Sequence, residues 1–158
     1  MDTQCFVDKL QRSEEFFMRS TSTLTEDDAA FAPGEGLYNS AQMMAHVAQT
    51  IDWFFEGAFR PEGFDLNFEK HVQRALEVQT LKEAREWIQR SFRQAREAIG
   101  SKSMDDLMMP LPAGPVMGGA PRVAIIDAIA EHTAHHRGAL GVYARLRGHQ
   151  PPMPYGEM

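Results

Sequence analysis

Apolar residues recur along most of this chain at spacings of three and four, the period of a helix with one buried face. From Thr3 to about Leu24 they are Phe6, Leu10, Phe17 and Leu24, with Gln11, Arg12, Glu14 and Arg19 between them. This predicts an amphipathic first helix with a polar middle. Pro33-Gly34-Glu35-Gly36 is a turn signal that ends any helix before it. A second helix is predicted from Asn39, whose side chain caps free backbone N–H groups while Gln42 reaches back. It carries Met43, Met44, Val47, Ile51, Phe54 and Phe55 and stops near Gly57 to Pro61. Phe68, Val72, Ala75 and Leu76 allow a short helix within 61–79. Thr80-Leu81-Lys82-Glu83 has the form of a capping box, followed by Leu81, Ala84, Ile88, Phe92, Ala95 and Ile99 on one face. Gly100 is placed to close that helix in the left-handed conformation. The segment Met108 to Pro121 holds four prolines and three glycines, a loop long enough to act as a lid. The last helix is predicted from Pro121 to about Arg147, ended by Gly148 and Pro151-Pro152. Almost nothing alternates with strand period. The expected fold is an all-α bundle of four main helices in a single domain over residues 1–158.

Composition narrows the function classes. With 22 acidic against 16 basic residues the net charge is −6, against the concentrated basic face that nucleic acid requires. One cysteine cannot form an internal disulfide, and it excludes Cys-rich zinc modules and iron–sulfur clusters. Cys5 has no basic neighbourhood to activate it as a nucleophile. The start, Met1-Asp2-Thr3-Gln4-Cys5, lacks a basic region and apolar core, and no run approaches the roughly 20 apolar residues of a membrane span. The expectation is a cytoplasmic protein with no membrane or nucleic-acid partner.

The histidines carry the chemistry. With His132 at zero on a wheel of about 100° per residue, His136 falls near 40°, and Ile125 and Tyr143 near 20°. His132 and His136 therefore lie one turn apart inside the apolar seam, the relation that lets two imidazoles converge on one ion. Structural histidines produce the same spacing, so the pair alone leaves both readings open. His46 sits mid-way along the second helix among Met43, Val47, Thr50 and Trp53, again an inward-looking neighbourhood. Taken singly it reads as a core histidine. Taken with the pair it makes three ligands on facing helices, with positions left open as in a catalytic rather than a closed site. His71 and His149 are expected at the surface, and Glu131 in solvent or behind the ligands. Thr133 and Ala134 stand where a zinc protease carries its glutamate, so the His-Glu-x-x-His mechanism has no support.

The run Asn39 to Ala48, Asn-Ser-Ala-Gln-Met-Met-Ala-His-Val-Ala, followed by Asp52-Trp53-Phe54, resembles the second-helix motif of DinB-like proteins. Glu131-His132-Thr133-Ala134-His135-His136-Arg137-Gly138-Ala139-Leu140, then Tyr143 to Pro152, is similar to that family's fourth-helix signature and tail. Ala139 departs from it, since many relatives carry Gln there. The resemblance implies an up-down-down-up four-helix bundle and a divalent metal held by His46, His132 and His136. Zinc or nickel would lead, with iron, copper or manganese also compatible with imidazole ligands.

The family includes metal-dependent transferases that join low-molecular-weight thiols to electrophiles, and a thiol-dependent isomerase. The resemblance thus implies a thiol S-transferase with a small thiol and an electrophile as substrates, working as a homodimer. Trp53, Tyr143 and the 108–121 loop are the candidates for orienting the electrophile. Arg137 would bind a substrate carboxylate or form a surface ion pair, the simpler reading. The alternatives are a metal-dependent hydrolase and a non-enzymatic metal-binding stress protein. No general base is evident beside the ligands, which favours thiol chemistry over hydrolysis.

Overall fold

The computed structural model describes residues 3–156 and contains, among them, six helices and no β-strand. They are α1 (Gln4–Ser20), α2 (Ser40–Phe59), α3 (Phe68–Leu76), α4 (Leu81–Gly100), α5 (Met104–Met108) and α6 (Ala124–Leu146), with a 3₁₀ turn at Glu26–Asp28. The four long helices close a ring of contacts: α1 packs on α4 and α6, and α2 packs on the same two from the other side. The core inside the ring includes Leu10 and Phe17 of α1, Met44 and Ile51 of α2, Ile88 and Phe92 of α4, and Ile125 and Ile129 of α6. No helix among the described residues is long and apolar enough to cross a membrane.

Local chemistry sets most helix ends. Asn39 and Gln42 form the reciprocal box that starts α2, with the Gln42 N–H donating to Asn39 Oδ1 at 2.9 Å. At α4 the Thr80 hydroxyl accepts from the Glu83 N–H, but the expected reciprocal bond from Thr80 to the Glu83 side chain is not formed, and the next two N–H groups find an acceptor elsewhere. The Glu26 carboxylate accepts from the Leu81 and Lys82 N–H groups at 3.0 and 2.7 Å. A negative charge at a helix N-terminus is favourable, and here it ties the 3₁₀ turn to α4.

Several expectations need correction. The first helix ends at Ser20, where two backbone N–H groups turn back as a cap, rather than at Leu24. Helix α4 runs through Gly100, and Ser101 caps it at φ −87°, so no left-handed residue is used there. A short helix, α5, precedes the Pro/Gly-rich loop because Ser103 and Asp106 form a capping box. Helix α6 starts at Ala124, since the backbone from Pro110 to Val123 is spent on a bridge and on bonds back to Leu107 and Met109.

The chain's two ends of this region are locked by one buried carboxylate. Asp28 is 2% exposed and accepts from Arg147 Nε, His149 Nε2 and the Thr25 N–H at 2.8–2.9 Å. His149 is therefore an inward partner, not the surface residue expected. Burial alone would raise the Asp28 carboxyl, but the bonds from Arg147, Thr25 and His149 outweigh it and hold the group far below the carboxylate range. A depressed carboxylate stabilises the fold above its unfolded value, here 3.8, and that contribution fades as pH falls below it. Asp28→Asn should therefore cost about 2 kcal/mol in urea unfolding at pH 7, a buried-pair loss reduced because both cations are partly exposed. The gap from wild type should narrow when the same measurement is made at about pH 3.

Candidate metal centre

Helix α2 carries His46 and α6 carries His132 and His136, and the α2–α6 packing brings all three to one point. His132 Nε2 lies 3.2 Å from His46 Nε2 and 3.1 Å from His136 Nε2, and all three rings are half-buried. No acidic side chain is part of this group. The Tyr38 ring stacks on His46 at 5.4 Å, and Tyr38 is in turn fixed by the Tyr143 hydroxyl, which donates to its carbonyl at 2.9 Å.

Electrostatics keep these imidazoles neutral. Burial, then repulsion from His136, His46 and His135, pushes His132 down to about 3. Burial, then His46 and His135, pushes His136 down to about 4. Burial lowers His46 as well. Neutral imidazole is the form that binds a metal. Metal–nitrogen bonds of about 2.0–2.1 Å at angles between square and tetrahedral put two ligand nitrogens about 2.9–3.4 Å apart. The observed spacings fall in that range. His136 Nδ1 is buried without a hydrogen-bond partner among the described residues, so the ring meets a polar neighbour only through Nε2. The three histidines are positioned to hold a divalent ion.

Beside them opens a cavity of about 260 Å³, walled by His46 and His132 with Gln49, Thr50, Trp53, Phe54, Phe68, His71 and Val72. Trp53 is pinned by its indole N–H, which donates to the Asp65 carbonyl at 2.7 Å, and it packs on Phe54 and Phe64. Gly57 makes room for that cluster: a Cβ there would lie 2.2 Å from the Phe64 ring. His71 also enters the cavity wall, with its side chain 13% exposed, correcting the surface position expected of it. Its partner Asp65 lies in an irregular segment, and no sequence periodicity connects the two.

The remaining candidates lie elsewhere. Tyr143 is buried behind Tyr38 and does not line the cavity. Arg137 points to the α1 side, its guanidinium 5.7 Å from both the Phe16 and Tyr155 rings. Glu131 and His135 are exposed. The 108–121 loop packs instead against residues 62–66, where Pro112 to Val116 face Glu62 to Leu66.

The model of the DinB family matches residues 1–158 of this chain. A crystal structure of a DinB-like protein from Bacillus cereus ATCC 10987 superposes with a TM-score of 0.74 at 18% identity, covering 97% of this chain and 95% of that one. At that identity the likeness speaks for the fold alone. No curated protein matches the chain.

Two measurements test the centre. His132→Ala should fold but lose stoichiometric zinc, read as metal per chain by elemental analysis after gel filtration; a full equivalent retained would refute the ligand set. In the metal-free protein the unfolded histidines take up protons near 6.5 while the folded ones resist. Its stability should thus be full above pH about 6.5 and decline steadily towards pH about 4, and His132→Ala should flatten that decline.

Proposed function

This chain belongs to the DinB family, and from that premise we propose a divalent-metal-dependent enzyme, a thiol S-transferase acting on small electrophiles. The four long helices are read as an up-down-down-up bundle, with His46, His132 and His136 as ligands and zinc or nickel as the metal. The observation that carries this reading is the lining of the cavity. Two of the three neutral imidazoles, His46 and His132, line an apolar space whose wall, among the described residues, holds no carboxylate.

A divalent ion held by neutral ligands keeps its full charge, and it favours thiolate over thiol, lowering a pKa of about 8.5. The chain's own residues supply the rest. Trp53, Phe54, Phe68 and Val72 present an apolar wall to the electrophile. Gln49 and Thr50 are the polar groups able to orient it. His71 borders the cavity, so a base does stand near the ligands, contrary to the expectation that none would. The thiol reading rests instead on charge: an anionic, polarizable nucleophile suits an uncompensated cation in an apolar site.

The test incubates the zinc-loaded chain with a panel of low-molecular-weight thiols and iodoacetamide, following the thioether by mass spectrometry. Adduct should form faster than with thiol alone, and the excess rate should vanish with a chelator or in His46→Ala. Rates equal to the thiol background would overturn the transferase reading. Ester cleavage that needs metal but no thiol would put a hydrolase in its place.

A further inference from the structure

His71 lies on α3, outside the ligand set, yet it shares the cavity with His46 and His132. Its Nε2 is 3.2 Å from the Asp65 carbonyl oxygen and 3.5 Å from Asp65 Oδ2. Both neighbours are acceptors only, so Nε2 must donate, and the neutral ring then carries its lone pair on Nδ1. Asp65 is itself held in place. Its Oδ1 accepts from the Asn67 N–H at 3.0 Å, and its carbonyl also takes the Trp53 indole N–H. A carboxylate behind a histidine fixes the tautomer and stabilises the imidazolium that forms on proton uptake. The charged and titratable groups around the ring are Asp65, Lys70 at 3.6 Å from Asp65 Oδ2, and His46 and His132 across the cavity. Only the last two border the cavity with His71, and both are held neutral.

We propose that His71, oriented by Asp65, is the general base that takes the proton from the nucleophile entering this cavity. The assignment rests on the transferase reading for the identity of that nucleophile, a thiol. The S–H bond breaks and its proton passes to His71 Nδ1. The sulfur's electron pair forms the new bond to the electrophilic carbon, and the leaving atom departs with the pair of the broken bond. His71 then returns its proton to that atom or to water. His71 is the catalytic residue and Asp65 a positioning residue.

The experiment compares wild type, His71→Gln and Asp65→Asn as zinc-loaded full chains, with 2-mercaptoethanol and iodoacetamide as probes. Both variants should bind zinc to the wild-type level, which separates the base from the ligands. His71→Gln should lower kcat at neutral pH by about 10²–10⁴. Its rate should climb with pH as the thiol ionises without the help of a base. Asp65→Asn should displace the pH profile and lower kcat with little change in KM. Histidine NMR of the wild type provides a readout independent of turnover: His71 should carry its proton on Nε2, and Asp65→Asn should disturb that tautomer. The two readings fail separately. A wild type that forms no adduct overturns the transferase assignment. An active wild type matched by His71→Gln in kcat and pH profile, or a proton found on Nδ1, overturns the base. Should His71→Gln fold poorly, the tautomer and the Asp65→Asn profile decide.

Discussion

Imidazole nitrogens that face one another at 3.1–3.2 Å repel through their lone pairs unless a proton or a cation lies between them. Protonation is disfavoured here by burial and by the neighbouring rings, and no carboxylate offers compensation. The packing of α2 on α6 therefore holds the three rings at a spacing that the N–H of a neutral ring can bridge within a pair and that a bound divalent ion would bridge for all three at once. Small residues permit the close approach of α2: Ala41, Ala45 and Ala48 are all fully buried on it. On α6 the buried Ile125, Ile129 and Leu140 stand along the histidine stripe and make its packing hydrophobic, which offsets the burial of polar rings. The Tyr143–Tyr38 hydrogen bond then supports His46 from behind, linking α6 to the segment that leads into α2.

That arrangement is braced from the far end of α6. Asp28 gathers Arg147 and His149 just past the helix, while Glu26, two residues earlier, caps α4. One short acidic turn thus fixes two long helices that share no extensive contact of their own. Arg85 adds to it by donating to the carbonyls of Thr21 and Leu24. On the opposite face of α6, Arg137 packs over Phe16 and Tyr155. A rotation of about 100° per residue is enough to send Arg137 away from the side His136 serves. The helix is two-faced, with site chemistry on one side and tail packing on the other.

The features legible in the sequence are those decided within a turn or two of helix. Asn39 with Gln42, the apolar stripe of α4 and the four-residue spacing of His132 and His136 are local patterns, and the helix geometry converts each into position. His46 was legible because its neighbours on the wheel are apolar. What escaped were pairs made across the chain. His149 finds Asp28 at a separation of 121 residues, and Glu26 reaches Leu81 across 55. His71 is nearer to Asp65, six residues on, but the intervening segment has no period from which its direction could be read. Tyr143 shares the histidine stripe on the wheel, yet depth along the helix, which the wheel ignores, buries it behind Tyr38. Gly100 shows the converse: a residue suited to a left-handed cap is not obliged to form one when the helix can run through it.

The placement of the negative charge explains how the cavity combines its parts. A carboxylate beside the three imidazoles would neutralise part of a bound cation's charge and weaken its hold on an anionic nucleophile. Asp65 sits instead behind His71, so its charge reaches the cavity only through an imidazole ring. It can then stabilise a proton on His71 without competing for the ligand positions. The Asp65 carbonyl serves both His71 and Trp53, so the apolar wall and the polar ring are fixed by one residue. Moving that residue would shift both at once. The segment between α2 and α3 is therefore best understood as the scaffold that holds cavity wall and proton acceptor in register, while α2 and α6 hold the imidazoles.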